Sequence, residues 1–306
     1  MNRDNYGYNF NNIKIEKNML TKESKNQYGK MKINNEILFY LYIAEHNVKF
    51  PMPKVIDHSD GCLTIEYLTN AVVLTDRITN ENFREYIENI SRHMENIHCI
   101  TMDINNTSIL TDVEIEVKTK VLTRYNEYDW NSNNLYKCIK SVNDVKINSI
   151  EYYCDIINNK LKPLLVNRDK YNLIHGDIHL GNILLCDNNE LSFIDPRGYF
   201  GGSSLFGLYE YDYAKLMFGL SGYSVFDNMI INEISVTNQN MNIDFIKKYE
   251  FVFELSTFSE ITRLLCLSIW LANNSCFTDT NKKITSLMIA CYYCEKYINI
   301  TTNKNH

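Results

Sequence analysis

No apolar run in the chain approaches the roughly 20 residues that would span a bilayer, and residues 1–12 are polar, without a signal-peptide pattern. The expectation is a soluble, cytoplasmic protein with no membrane partner. Dense Lys/Arg runs are missing too. A formal net charge of −6 gives little attraction for a phosphate backbone, so nucleic acid is not expected as a partner. Proline is limited to 4 residues, and no internal repeat or low-complexity linker interrupts the chain. A paired cysteine framework is also absent. The nine cysteines are odd in number, scattered and mostly set in apolar surroundings, which argues for a reducing compartment. Cys291 and Cys294 form a Cys-x-x-Cys with no second pair to complete a zinc site, and the helical pattern around them reads as core.

What is present is an ordinary globular composition. With 306 residues, 45% hydrophobic and 22% charged, the chain can bury a real core in one large domain or two modest ones.

The N-terminal part reads as mixed. Alternation predicts a strand over residues 13–16, pairing with residues 19–22 across a turn at Lys17 and Asn18. A helix follows over 33–45, with Ile37, Leu38, Leu41 and Tyr42 on one face. Residues 55–56 and 63–68 read as further strands around the turn-rich stretch 57–61. From 75 to 170 helical periodicity dominates, most clearly over 80–97, 112–128 and 147–165. It returns over 245–300, where Leu255, Phe258, Ile261, Leu265 and Ile269 recur at helical steps. Between these blocks, residues 173–194 are rich in strand formers. The reading is an α+β protein of two lobes: residues 1–69 form a small β-containing lobe, and 70–306 form a helical lobe with an embedded hairpin. A crevice in such an arrangement is a usual place for a ligand.

The chemistry gathers in residues 173–198, LIHGDIHLGNILLCDNNELSFIDPRG. Residues 183–185 and 191–194 are apolar strands, and Asp187, Asn188, Asn189 and Glu190 supply turn chemistry between them, which predicts a β-hairpin. A hairpin sets Asn182 and Asp195 side by side at its mouth, with Asp177 just upstream on a loop shaped by Gly176 and Gly181. Two carboxylates and a carboxamide are hard oxygen donors suited to magnesium that also holds phosphate oxygens. Without a cation or a proton between them, the two acids would repel.

His175-x-Asp177-x4-Asn182, followed by Asp195-x-x-Gly198, resembles the catalytic loop and metal-binding aspartate of the protein-kinase-like fold. The form His-Gly-Asp-x-His-x-x-Asn with Ile-Asp-Pro is more similar to the aminoglycoside phosphotransferase and choline/fructosamine kinase superfamily than to protein kinases. The resemblance implies that Asp177 orients or deprotonates an acceptor hydroxyl while His175 braces the loop. It implies that Asn182 and Asp195 hold Mg2+ against ATP or GTP. Lys22 would grip the α- and β-phosphates and pair with Glu36, with Lys14, Lys17 and Lys25 as rivals. Glu66, Tyr67 and Leu68 resemble the hinge that meets the purine. Asp212 resembles the acid that anchors the loop backbone, and by its position it also fits a helix N-cap.

The sequence departs from the pattern in lacking a glycine-rich GxGxxG loop, since Gly7 and Gly29 are isolated. Either a shorter hairpin around Lys17 and Asn18 covers the phosphates or the lobe is shortened. Arg197 brings a charge beside the metal-binding acid, able to reach an anion or to pair with an acid. His179 reads as loop packing, His93 and His98 as structural, and the aromatic residues from Tyr199 to Tyr213 as packing more than pocket lining. The implied activity is phosphoryl transfer to a hydroxyl of a small polar molecule. A sugar or polyol is the first acceptor and an aminoglycoside the second; a nucleotide-binding scaffold without turnover is the alternative. A protein kinase would need an Ala-Pro-Glu-like anchor after Gly198, and none is there.

Overall fold

The computed structural model describes residues 10–79, 81–187 and 189–298. Gly7, Asn80 at the start of one predicted helix, Asn188 of the predicted turn and the last residues of the C-terminal stretch lie outside them. The described backbone divides into two compact units, one comprising residues 10–103 with Lys170–Asp212, the other Ile104–Asp169 with residues 213–298.

The first unit opens with a four-stranded antiparallel sheet. Strands β1 (Asn11–Glu16) and β2 (Met19–Ser24) form the predicted hairpin, with Lys17 at φ 49° in its turn. Helix α1 (Gln27–Glu45) follows, then β3 (Val55–Ser59) and β4 (Cys62–Glu66), giving the sheet order β1-β2-β4-β3. Lys22 lies opposite Ile13 on one side and Leu63 on the other, so it is held in the middle of the sheet.

Helix α1 begins earlier than periodicity predicts because the Asn26 side chain caps it, accepting from the Gly29 amide at 2.8 Å. Of the expected face, Ile37 is buried and Leu41 packs against the same core. Ile33, Ile37 and Tyr40 pack on Leu63 and Ile65 of β4, whereas Leu38 is 47% exposed. Gly29, Ile33, Glu36, Tyr40 and Ile43 recur at three- and four-residue steps, and that stripe faces inward.

The rest of the unit is built from β5 (Val72–Val73), α2 (Phe83–His98), β6 (Thr101–Asp103), β7 (Lys170–Leu173), β8 (Ile183–Leu185), β9 (Leu191–Phe193), β10 (Phe206–Gly207) and the start of α3 (Tyr209–Phe218). Helix α2 buries Ile87, Ile90, Met94 and Ile97 along one stripe. The strands make two small antiparallel sheets, β9-β8-β5 and β10-β7-β6.

The second unit is mainly helical. Asn106–Glu114 runs through a π turn at Ile115–Thr119 into Lys120–Asn126, and Ile150–Leu165 is capped by Ser149. The C-terminal stretch is not helical from 245 in the way expected. Two 3-10 turns, Asp244–Lys248 and Glu250–Glu254, precede an α-helix that starts only at Glu260, where the Ser259 hydroxyl accepts from the Thr262 amide. Trp270 donates to the Ser221 hydroxyl at 2.9 Å and Tyr293 donates to the Ser221 carbonyl at 2.8 Å, pinning an irregular turn. Cys291 and Cys294 are buried in the helix Thr280–Tyr297, where burial pushes both thiols up, as expected of core cysteines. Among the described residues no helix is long and apolar enough to cross a membrane.

Candidate active site

The hairpin of β8 and β9 pairs Ile183 with Phe193 and Leu185 with Leu191. Its ladder continues one step further, where Ile194 N–H donates to the Asn182 carbonyl at 3.0 Å. Asn182 is thereby fixed beside Ile194, with Asp195 next along the chain. Asp195 takes φ 58°, the left-handed region that Asp and Asn tolerate better than most side chains.

The loop between β7 and β8 is held by its own hydrogen bonds. His179 N–H donates to the Asp177 carbonyl at 2.9 Å, and the His179 ring accepts from Gly181 N–H at 3.1 Å. The Asn182 carboxamide nitrogen donates to the Asp177 carbonyl at 3.0 Å and to its carboxylate at 3.3 Å. That fixes the amide's orientation: its nitrogen is committed to Asp177, so its oxygen is the atom left to act as a ligand. The carbonyl of His175 accepts from Arg197 N–H at 2.8 Å and Gly198 N–H at 3.2 Å, which ties the loop to the segment after β9. Gly176 must be glycine for a close approach, since it sits at φ +80° and a Cβ there would meet the Arg197 Cβ at 3.1 Å.

Beneath the loop lies Asp212, fully buried. Its carboxylate accepts from the amides of His175 at 3.0 Å and Gly176 at 2.6 Å, and the His98 ring meets it at 3.0 Å. Asp212 therefore anchors the loop backbone. It does not cap α3, which starts three residues earlier at Tyr209. His98, read from the sequence as structural, has a partner the sequence does not reveal: at the end of α2 nothing local ties it to an acid 114 positions on.

The His175 ring is wholly buried against Phe39, Phe50 and Phe193, at centroid distances of 5.8, 6.1 and 6.5 Å. Burial pulls its pKa below the ordinary 6.5 in spite of Asp212 and Asp177 nearby, so the ring is neutral. Its Nδ1 accepts from the Asp177 amide at 3.3 Å. The ring packs within the loop and braces it.

On the sheet side, Lys22 donates to Glu36 at 2.7 Å and also pairs with Asp195. Lys22 and Glu36 are buried; the Asp195 side chain is 47% exposed. Burial alone would lower the lysine's pKa, but the carboxylates of Asp195 and Glu36 outweigh it and hold the ammonium charged. The Glu36 carboxyl is pushed up, by burial first and the Asp195 charge second, against the pull of Lys22. The rival Lys14 is exposed and pairs with Glu16 at 2.7 Å. The turn at Lys17 and Asn18 lies beside Tyr67, whose amide donates to the Asn18 carbonyl at 2.9 Å. It is about 13 Å along β2 from Lys22, at a strand rise of about 3.3 Å.

Glu66 ends β4, with its amide donating to the Lys54 carbonyl at 2.8 Å. Of residues 66–68, Leu68 keeps an N–H that meets no acceptor among the described residues. Arg197 stacks 3.7 Å from the Tyr199 ring centroid and donates to the Tyr211 hydroxyl at 2.6 Å. Phe200 and Tyr211 are buried against each other.

As a cation site the donor set is sparse. Among the described residues no three His, Cys, Asp or Glu side chains converge. One carboxylate and one carboxamide oxygen suit magnesium that fills its remaining positions with water and phosphate, and do not suit a fully protein-ligated metal.

No protein-family model matches the sequence, and no curated protein matches it. Solved structures do match. The choline kinase LicA from Streptococcus pneumoniae aligns with TM-score 0.52 and 13% identity, over 94% of this chain and 90% of that one. The streptomycin–ATP ternary complex of the aminoglycoside phosphotransferase APH(2'')-IIa aligns with TM-score 0.50 and 12% identity, over 95% and 94%. A glucosamine kinase aligns with TM-score 0.50 and 10% identity, over 91% and 72%. The fold is thus the protein-kinase-like α+β fold of aminoglycoside phosphotransferases and choline kinases, the superfamily that the motifs at His175 and Asp195 resemble. The small antiparallel sheet is its N-terminal region and the helices are its C-terminal region.

Proposed function

We propose that the protein is a small-molecule kinase that transfers the γ-phosphate of ATP or GTP to a hydroxyl of a small polar acceptor, a sugar or polyol in the first place. The observation that carries this reading is the gathering of Asp177, Asn182, Asp195, Lys22 and Glu36 within one compact unit, tied by hydrogen bonds and ion pairs. The neighbours add support: one was solved with ATP and streptomycin, and others are choline and glucosamine kinases.

Asp177 orients the acceptor hydroxyl and takes its proton, an effect worth about 10²–10⁴ in rate for a positioned base. The Asn182 amide keeps the aspartate aimed. Asn182 Oδ1 and the Asp195 carboxylate are the atoms that would hold Mg2+, which when bound neutralises phosphate charge. Lys22 grips the α- and β-phosphates while Glu36 orients its ammonium. The 66–68 stretch meets the purine, with the Leu68 amide as donor. Residues 1–69 serve as the nucleotide-binding lobe, and 70–306 carry the catalytic loop and acceptor site, in a cytoplasmic setting.

The test is a metabolite library containing sugars, polyols and aminoglycosides, incubated with ATP or GTP and read by the phosphoryl mass shift. A phosphorylated sugar or polyol is the expected product. Turnover of aminoglycosides alone would move the acceptor to antibiotics. Magnesium-dependent nucleotide binding with no phosphorylated product in any arm would replace the kinase by a nucleotide-binding scaffold.

A further inference from the structure

Tyr40 is 4% exposed, and its hydroxyl has no hydrogen-bond partner among the described residues. A buried hydroxyl left without a partner is destabilising, a cost that an apolar residue of the same shape would avoid. Phenylalanine would fill the same place against Ile33, Ile37, Leu63 and Ile65. The hydroxyl therefore calls for a reason.

Its position supplies one. Tyr40 follows Glu36 by one turn on the inward stripe of α1, and side chains four apart on a helix are neighbours. Glu36 accepts from Lys22 through one oxygen, and its other oxygen accepts nothing among the described residues. A donor without an acceptor thus adjoins an acceptor without a donor. The electrostatics agree: burial first, then the charges of Glu36 and Asp195, raise the Tyr40 phenol well above its ordinary value, so the hydroxyl keeps its proton and lies in the field of both acids.

We propose that the Tyr40 hydroxyl is a reserve donor for Glu36, engaging its carboxylate whenever the Lys22 ammonium shifts away. Lys22 is shared here between Glu36 and Asp195. A phosphate that draws the ammonium toward itself weakens its hold on a buried carboxylate, and an unpaired buried anion is expensive. Donation from Tyr40 fills the gap and keeps Glu36 in place to orient the lysine. Tyr40 is then a positioning residue that acts through Glu36. The phosphate part of this rests on the nucleotide-binding reading; the Tyr40–Glu36 pairing does not.

A double-mutant cycle without ligand tests the pairing. Tyr40→Phe in the otherwise unchanged chain should alter the unfolding constant by less than about twofold, or stabilise it, because no existing hydrogen bond is lost. In a Lys22→Met background the same substitution should destabilise by about fivefold or more, since Tyr40 is then the remaining donor to Glu36. Additive effects in urea unfolding would overturn the proposal. Should Lys22→Met not fold, Lys22→Gln takes its place in the cycle. A second arm measures Mg-ATP affinity by calorimetry, where Tyr40→Phe should weaken binding about threefold or more and rescue by any apolar residue should fail; unchanged affinity in a binding-competent protein contradicts the proposal. If the unsubstituted chain binds no nucleotide, the kinase reading fails, while the stability cycle still decides the pairing.

Discussion

Asp177 differs from the other acids of the site in what its loss should do. Its carboxylate receives the Asn182 amide and stands apart from the Lys22 ion pairs. Asp177→Asn therefore leaves the nucleotide's contacts alone and removes the proton acceptor. The expected result is a kcat lower by about 10²–10⁴ with the nucleotide KM within about twofold, measured by single-substrate kinetics on the acceptor found in the library. A fall in affinity with kcat preserved would contradict the role. His175 gives a prediction about stability. Its ring is buried neutral and its pKa lies below 6.5, so the unfolded chain takes up a proton that the folded ring refuses. The stability it contributes is complete above pH 6.5 and is lost as pH falls from there toward the folded value, with a slope of at most about 1.4 kcal/mol per pH unit for one proton. His175→Phe should flatten that part of the profile in urea unfolding between pH 7 and 5. An unchanged slope would show that other groups carry it.

At the scale of elements, the site depends on how closely the segment after β9 approaches α1. Gly198 sits at φ +63°, and a Cβ there would lie 2.7 Å from the Asn35 carbonyl. Gly198→Ala brings both backbone strain and a steric clash and should cost about 1–3 kcal/mol in urea unfolding; a neutral substitution would mean that α1 moves freely relative to this segment. Much of this level was legible in the sequence, and for local reasons. The β8–β9 hairpin is announced by two apolar runs around turn residues, and the β1–β2 hairpin by alternation on either side of Lys17 and Asn18. Lys22 and Glu36 are singled out by the resemblance, with fitting order along the chain, and the buried ion pair joins them. What was not legible depends on partners distant in the chain. Val72–Val73 adds a third strand to the hairpin although two residues carry no periodicity. Leu38 is apolar enough for core but faces outward, because the stripe through Ile33, Ile37 and Tyr40 is the one that packs on β4. His98 and Asp212 meet only after the chain has folded. For Asp212 the local sequence offers a helix cap while the resemblance names a loop anchor, and its carboxylate accepts from the loop amides.

For the molecule as a whole, the 175–182 loop, Asp195 and the Lys22–Glu36 pair belong to a single compact unit. The fold is shared with choline kinases and aminoglycoside phosphotransferases at identities of 12–13%, so what the chain has in common with them is architecture. The claim that those residues form a magnesium–nucleotide site is the one on which the rest depends. Titration of ATP by calorimetry, with and without Mg2+, into the unsubstituted chain, Asp177→Asn and Asp195→Ala addresses it most directly. Magnesium-dependent binding of equal strength in the first two, and its loss in Asp195→Ala, is the predicted result. Equal binding by all three proteins, or none by the unsubstituted chain, would contradict it.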